Sequence, residues 1–178
     1  YFGGGDDGSM RTGKTTVSVD GENHNFYFEK SGGNKGAGVT GEKDDKLYQS
    51  GMLLRADSDD KYIVVKKTTT TDSTTNKKTV NYKKLDDAAD FIDDAGLVDA
   101  IGNKTDNESV EIGHVSKKAK DLKEAYVLDS TDTKDGVEYI LVNTSGKVID
   151  SNSKNKDGND YYYVVKKGGT IEGVYVED

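Results

Sequence analysis

The stretch Tyr62-Ile63-Val64-Val65-Lys66-Lys67 and its near copy Tyr162-Tyr163-Val164-Val165-Lys166-Lys167 carry the clearest fold signal of this sequence. Each starts with an aromatic residue and continues with β-branched residues, which favour strands because they pack well on a pleated surface. Each also follows a Ser-Gly pair, Ser50-Gly51 or Ser145-Gly146, and an Asp- and Ser-rich stretch, as turns and loops do. The sequence therefore predicts one supersecondary unit that is used twice.

Asp-Gly pairs mark three further turns. Asp7-Gly8 follows the aromatic pair Tyr1-Phe2, Asp20-Gly21 separates residues 16–19 from residues 26–28, and Asp135-Gly136 precedes the apolar residues 137–142. Such pairs favour tight hairpins because both residues tolerate a positive φ. Residues 68–79 are rich in Thr, Ser, Lys and Asn, which fits a linker or the arms of a long hairpin. Thr favours strands, so the hairpin is the prediction.

The central part of the chain changes to a helical period. Between residues 85 and 101 the apolar side chains fall on one helical face, and Gly102 is the expected stop; they are Leu85, Ala88, Ala89, Ile92 and Ala95. Asp86 and Asp87 would lie in the first turn, where negative charge complements the helix dipole. A short second helix is predicted over residues 117–124 with Ser116 as its cap, followed by a strand over residues 125–128.

Composition sets the fold class. The 178 residues are 32% hydrophobic and 33% charged with 21 Gly, which is lean for one thick core. Hairpin units need little buried volume each, because stacked neighbours share a narrow core. We therefore predict a mainly β (α+β) fold of consecutive, solenoid-like β-hairpin repeats with a short helical insert. The predicted divisions are hairpin repeats over residues 1–67, the Thr-rich segment and helical insert over 68–135, and a further hairpin region over 136–178.

Net charge, Cys content and hydropathy disfavour several classes of function. A formal net charge of −8 disfavours nucleic acid as a partner, because phosphate binding needs clustered Lys and Arg. The chain has no Cys, so it has neither disulfides nor a thiol nucleophile or metal ligand. No apolar stretch approaches the roughly 20 residues of a membrane-spanning helix. No cleft for paired carboxylates is evident either, and the expectation is a chain without catalytic residues or cofactor.

Three features of the sequence could indicate a metal or phosphate site. His24 and His114 are isolated in the sequence, so no metal role is expected for them. The Asp-rich residues 57–60 and 129–132 do not continue as a calcium loop, and solvated loops are the prediction. Residues 8–15 formally match a phosphate-binding Gly-x-x-x-x-Gly-Lys-Thr pattern, but the β-branched residues that follow favour a strand where that motif needs a helix.

The opening of the chain resembles a known repeat. Tyr1-Phe2 and then Asp7-Gly8-Ser9-Met10-Arg11-Thr12-Gly13 are similar to bacterial cell-wall-binding repeats of the choline-binding type, with two aromatics, a tight turn, a Met and a closing Gly. Phe26-Tyr27-Phe28 with Gly38-Val39-Thr40-Gly41 resembles a looser second copy, and Leu47-Tyr48-Gln49-Ser50-Gly51-Met52-Leu53 a third. Residues 139–176 follow the same hairpin pattern without the Met ending, and residues 68–135 match nothing in the family.

The resemblance implies a secreted protein of the cell surface or cell wall, of which this chain is a C-terminal piece, with hairpins that hold choline or glycan. Choline is not expected, because Lys14 stands where the family places Trp, and the chain has no Trp. The implied ligand is a cell-wall polysaccharide or other surface glycan, stacked on Tyr1, Phe2, Tyr27 and Tyr48. The alternative is a structural stalk or protein-partner-binding module whose aromatics are buried between hairpins.

Overall fold

In the computed structural model, which describes residues 9–131, 134–150 and 152–178, the chain is mainly β with antiparallel sheets. The strands are β1 (Gly13–Val19), β2 (Glu22–Phe28), β3 (Gly41–Lys43), β4 (Lys46–Gln49), β5 (Met52–Leu53), β6 (Tyr62–Thr71), β7 (Lys78–Lys84), β8 (Val98–Asp99), β9 (Ser109–Ile112), β10 (Val115–Lys118), β11 (Leu122–Val127), β12 (Val137–Asn143), β13 (Asn152–Lys156), β14 (Tyr162–Val165) and β15 (Ile171–Glu177). One α-helix, α1 (Ala88–Ala95), lies within the described residues.

Among the described residues, the strands form three open sheets and one separate hairpin. The N-terminal sheet has the order β1-β2-β5-β4-β3, the central sheet β12-β6-β7, and the C-terminal sheet β13-β14-β15-β11-β8, while β9 and β10 pair with each other. The predicted Asp20-Gly21 and Ser50-Gly51 hairpins are confirmed, because each pair joins two paired strands through two residues of positive φ. The Thr-rich segment is also a hairpin as predicted, since residues 65–71 of β6 pair with residues 78–84 of β7.

Helix α1 is packed between the central and C-terminal sheets. Phe91 is fully buried in a core cluster with Val64 of the central sheet and Tyr163 of the C-terminal sheet. The opposite face of the C-terminal sheet is covered by β9 and β10, where Ile112 packs with Val164. A third cluster, which includes Leu47 and Ile63, joins the N-terminal sheet to the central sheet. The three sheets therefore share buried contacts.

The repeated strand sequences occupy equivalent layers. In β6, Ile63 faces the cluster shared with the N-terminal sheet and Val64 faces the cluster around α1. In β14, Tyr163 faces the cluster around α1 and Val164 faces the β9–β10 side. A strand that is buried on both faces has a continuous apolar run in place of an alternating pattern. The two strands thus share residues because both lie between two cores.

These pairings do not confirm the solenoid-like part of the prediction. In a solenoid each unit contacts only its sequence neighbours. Here β12 pairs with β6 although strands β7 to β11 lie between them in the chain. Strand β11 lies between β15 and β8 in the C-terminal sheet. The predicted division between residues 67 and 68 falls inside β6, and the one between residues 135 and 136 falls just before β12.

The helical predictions need two corrections. The first helix is shorter than predicted, because Gly96, with φ 61°, ends it and donates its N–H to the carbonyl oxygens of Asp93 and Ile92. Asp87 is its N-cap and accepts a hydrogen bond from the Asp90 N–H at 2.8 Å. The predicted second helix over residues 117–124 is wrong: β10 and β11 flank a single 3-10 turn (Ala119–Asp121) there.

Tertiary packing explains the second correction. Residues 117–124 contain good helix formers, but Lys117 pairs with Val110 in the β9–β10 hairpin. Ala119 and Leu122 are buried in the cluster beneath that hairpin. The strand predicted over residues 125–128 is confirmed by β11, which ends at Val127. Burial of these apolar side chains therefore overrides the local helix propensity.

Candidate functional site

The β1–β2 hairpin positions four side chains on one face of the N-terminal sheet. Its two-residue turn pairs Lys14 with Tyr27 and Thr16 with Asn25. Paired residues of an antiparallel ladder share a face, and so do alternate residues of one strand. The Thr16 hydroxyl donates a hydrogen bond to Asn25 Oδ1 at 3.1 Å. The amide nitrogen of Asn25 is a hydrogen-bond donor and could bond to a ligand.

The β4–β5 hairpin adds Tyr48 to this region. Phe26 of β2 pairs with Met52 of β5, and Met52 pairs with Gln49 of β4, which brings β4 close to the first hairpin. The Tyr48 ring packs edge to face against Tyr27, with 5.6 Å between the ring centroids. Burial raises the pKa of Tyr48 above its ordinary value, which already keeps the hydroxyl protonated at neutral pH.

These elements line a groove with a volume of about 240 Å³, which we name the aromatic groove. It is somewhat smaller than the roughly 300–1,000 Å³ of pockets for drug-sized ligands. Its lining residues are Lys14, Thr15, Thr16, Asn25, Phe26, Lys46, Tyr48 and Leu53. Neither a carboxylate nor an imidazole is among these eight side chains. The groove thus combines aromatic and aliphatic surface with ammonium, hydroxyl and amide groups.

The predicted ligand-binding residues fall into three situations. Tyr1 and Phe2 lie outside the described residues. Tyr48 lines the aromatic groove but is only 3% exposed, so most of its ring is packed against the protein. Tyr27 is half-buried behind it, and Lys30 Nζ lies 5.7 Å from the Tyr27 ring centroid. The structure therefore brings Tyr27 and Tyr48 together, with Tyr48 at the groove itself.

Sequence reasoning missed the polar half of the groove, which Thr16, Asn25 and Lys46 supply. A signal for two of them was present. A hairpin centred on Asp20-Gly21 requires Thr16 to stand opposite Asn25, because the turn determines the register. Lys14 contributes an ammonium that lies 3.4 Å from Asp44 Oδ2, and both side chains are largely exposed.

Neither histidine is among the residues that line this groove. His24 Nε2 is 3.9 Å from Glu22 Oε2 on the same strand. His114, in the β9–β10 turn, is bound to Glu172 of β15, with its Nδ1 at 2.6 Å and its backbone N at 3.0 Å from Oε2. Across residues 9–131, 134–150 and 152–178, no group of three or more His, Asp or Glu side chains is placed to hold a metal ion.

The remaining motifs have local structural roles. Gly13 to Thr15, the end of the formal phosphate-binding pattern, belong to strand β1. In the second Asp-rich stretch, hydrogen bonds from the Thr131 backbone N–H and hydroxyl lower the pKa of Asp129. That carboxylate therefore organises its own turn, as short Asp side chains commonly do.

No helix in the described part of the chain is long and apolar enough to span a membrane. Comparisons of the chain with protein-family models, with curated proteins and with solved structures found no match.

Proposed function

We propose that the chain is a non-catalytic attachment module of the bacterial cell surface that binds an envelope polysaccharide in the aromatic groove. The proposal depends on the resemblance of residues 1–53 to cell-wall-binding repeats and on the composition of the groove. Sugar rings have an apolar face and a rim of hydroxyls, so their sites need aromatic surface beside hydrogen-bonding groups. The observation that carries the proposal is that Tyr48 lines the same groove as Asn25 and Lys46.

In this proposal the hairpins β1–β2 and β4–β5 act as consecutive repeats, as in the family that the sequence resembles. The groove lies where the two hairpins meet. The absence of carboxylates among its eight lining side chains supports binding over hydrolysis, since glycoside hydrolysis typically needs a pair of them. Lys14 and Lys46 in the same groove oppose a quaternary ammonium ligand, because like charges repel. A glycan is therefore favoured over choline.

A pull-down against purified bacterial cell walls and soluble envelope polysaccharides tests this function. Asn25→Ala removes a groove hydrogen-bonding group and should weaken binding about 2- to 10-fold. Asn23→Ala is the matched control, since Asn23 lies on the same strand, is exposed and does not line the groove. Tyr27→Ala should also weaken binding, because the Tyr27 ring supports Tyr48.

The outcomes separate the alternatives. Equal binding by the Asn25 and Asn23 variants would overturn the assignment of the groove. Competition by choline would contradict the inference drawn from Lys14 and the missing Trp. Absence of binding to every wall preparation would favour the second candidate, a structural stalk or partner-binding module, which the burial of Tyr48 and Phe28 also supports.

A further inference from the structure

The first strand of the N-terminal sheet has one side that no other described strand covers. Strand β1 is the outermost strand in the order β1-β2-β5-β4-β3, and it pairs only with β2. It has seven residues, no Pro and a single charged residue, Lys14. An edge strand of this length offers a row of backbone donors and acceptors to another chain, and most proteins protect such edges with charges, Pro or a covering segment.

The β1–β2 register determines which backbone groups of β1 point outwards. Lys14 stands opposite Tyr27. The Tyr27 backbone bonds on the side away from β1, where its N–H donates to Gly51 O at 2.8 Å and its carbonyl oxygen accepts from Val39 N at 3.0 Å. Because hydrogen-bonded and non-hydrogen-bonded pairs alternate along an antiparallel ladder, the N–H and C=O groups of residues 14, 16 and 18 face the open side. No hydrogen bond joins these backbone groups to another described residue.

Two other edge strands of seven residues, β7 and β12, are partly occupied on their outer sides. In β7, the Tyr82 N–H donates to Gln49 Oε1 at 2.9 Å, and the strand carries three lysines. In β12, the Leu141 carbonyl oxygen accepts a hydrogen bond from Ile149 N at 2.9 Å. Strand β1 is therefore the least protected of the three, and it is the edge most open to pairing with a further strand.

The open side of β1 is complementary to itself in the antiparallel direction. When Thr16 stands opposite Thr16 of a second copy, Lys14 stands opposite Ser18, and no like charges face each other. All three outward-facing residues then form hydrogen-bonded pairs, and three pairs with two bonds each give six N–H···O bonds. A shifted register leaves at least one of these residues without a strand partner. Parallel pairing in register would place the two Lys14 side chains side by side.

The residues at the ends of β1 favour the same arrangement. Arg11 lies just before β1 and Asp20 just after it, and both are exposed. Antiparallel pairing brings Arg11 of each copy close to Asp20 of the other, so opposite charges meet at both ends of the contact. Val19, which is 44% exposed, would stand opposite Gly13 of the second copy, so the pairing also covers part of an exposed apolar side chain.

We propose that β1 is a dimerisation edge, at which two copies of this chain join their five-stranded N-terminal sheets into one sheet of ten strands. The contact is isologous, with a twofold axis that passes between the two Thr16 residues perpendicular to the sheet. Side chains of paired residues share a face, so both aromatic grooves lie on the same face of the joined sheet. The dimer goes beyond the proposed glycan binding and does not depend on it.

The dimer is weak and reversible. One short strand pair buries less than the roughly 1,200 Å² at the lower end of standard interfaces. Each copy also carries a formal net charge of −8, and the long-range repulsion between two such chains opposes association. At an ionic strength of about 0.15 M the Debye length is about 8 Å, so most of this repulsion is screened while the contacts within the strand pair remain.

Sedimentation equilibrium at about 0.15 M NaCl, from about 10 µM to about 1 mM protein, tests the association. The weight-average mass of the native chain should rise from 19.3 kDa towards twice that value. Ser18→Pro removes one outward N–H from each copy, so two of the six bonds are lost and association should weaken about 10-fold. Ser18→Ala keeps that N–H and is the matched control, with association within about twofold of the native chain.

Cross-linking tests the register directly, because the native chain has no Cys. In Thr16→Cys the two Cα atoms of the dimer stand about 5.5 Å apart, within the range of roughly 4.4–6.8 Å that a disulfide spans. In Ser18→Cys the two cysteines lie four residues apart along the strands, at least about 13 Å, which is beyond that range. Under mild oxidation Thr16→Cys should therefore form the covalent dimer several times faster than Ser18→Cys.

Three results would overturn the proposal. They are a native chain that stays monomeric up to about 1 mM, whether or not its edge binds a strand of another protein, equal association of the Ser18→Pro and Ser18→Ala variants, and equal rates of cross-linking for the two cysteine variants. None of these measurements contains a glycan. Failure of the dimer is therefore distinguishable from failure of the proposed function.

Discussion

Replacement of Phe91 by Ala tests whether α1 joins two sheets into one core. Phe91 is 0% exposed, and its ring lies 5.1 Å from that of Tyr139 in the central sheet and 6.3 Å from that of Tyr163 in the C-terminal sheet. Removing a buried Phe side chain costs about 3–5 kcal/mol, through lost burial and the cavity left behind. Ala is the best helix former, so helix propensity should not add to this loss.

The assay is urea and thermal unfolding of the native chain and the variant. For a chain of this size the loss corresponds to a fall in Tm of about 6–20 °C, at about 2–4 °C per kcal/mol. Val98→Ala is the control, since Val98 is 42% exposed and its truncation should stay within about 0.5 kcal/mol. A loss below about 1 kcal/mol for Phe91→Ala would refute the view that α1 holds the two sheets together.

Two further predictions concern a buried carboxylate, Asp157, and the N-cap of α1, Asp87. Asp157 is 4% exposed, and this burial raises the pKa of its carboxyl group although backbone N–H groups and the Tyr163 hydroxyl donate hydrogen bonds to it. Protonation of Asp157 therefore stabilises the fold. This stabilisation is lost as pH rises through the pKa of the folded state. We expect the stability of Asp157→Asn relative to the native chain to increase between about pH 4 and pH 7, measured by urea unfolding at both values, and a constant or falling difference would contradict this. Asp87→Ala should lower the free energy of unfolding by about 1 kcal/mol through loss of the α1 N-cap, while Asp86→Ala, without a cap bond, should leave it unchanged; equal effects of the two in thermal unfolding would contradict the capping role.

Turn chemistry made part of the fold predictable from the sequence. Asp20-Gly21 and Ser50-Gly51 can adopt the two successive positive φ values of a tight hairpin, and the structure has both hairpins. The β6–β7 hairpin followed from the strand preference of Thr. The existence of α1 followed from its period, but its end did not, since Gly96 and Gly102 both have positive φ and only Gly96 caps the helix.

The candidate sites were predictable to a smaller degree. The register about Asp20-Gly21 already places Thr16 opposite Asn25, so the pairing of these two groove residues could be predicted from the sequence. Tyr48 was identified, but its 3% exposure depends on the packing of the second hairpin against Tyr27. No sequence pattern predicted that Lys61 and Lys154 line one concave surface, because they are far apart in the chain.

The sequence by itself determined the β-rich class, the tight turns and the strand character of the two repeated stretches, because each depends on the conformational preferences of a few adjacent residues. Only the tertiary structure decided which strands pair when they are far apart in the chain. Pairing of β12 with β6, and of β11 with both β15 and β8, depends on burying apolar faces contributed by the whole chain. The same long-range burial turned a helix-prone segment into the end of β10, a 3-10 turn and the start of β11.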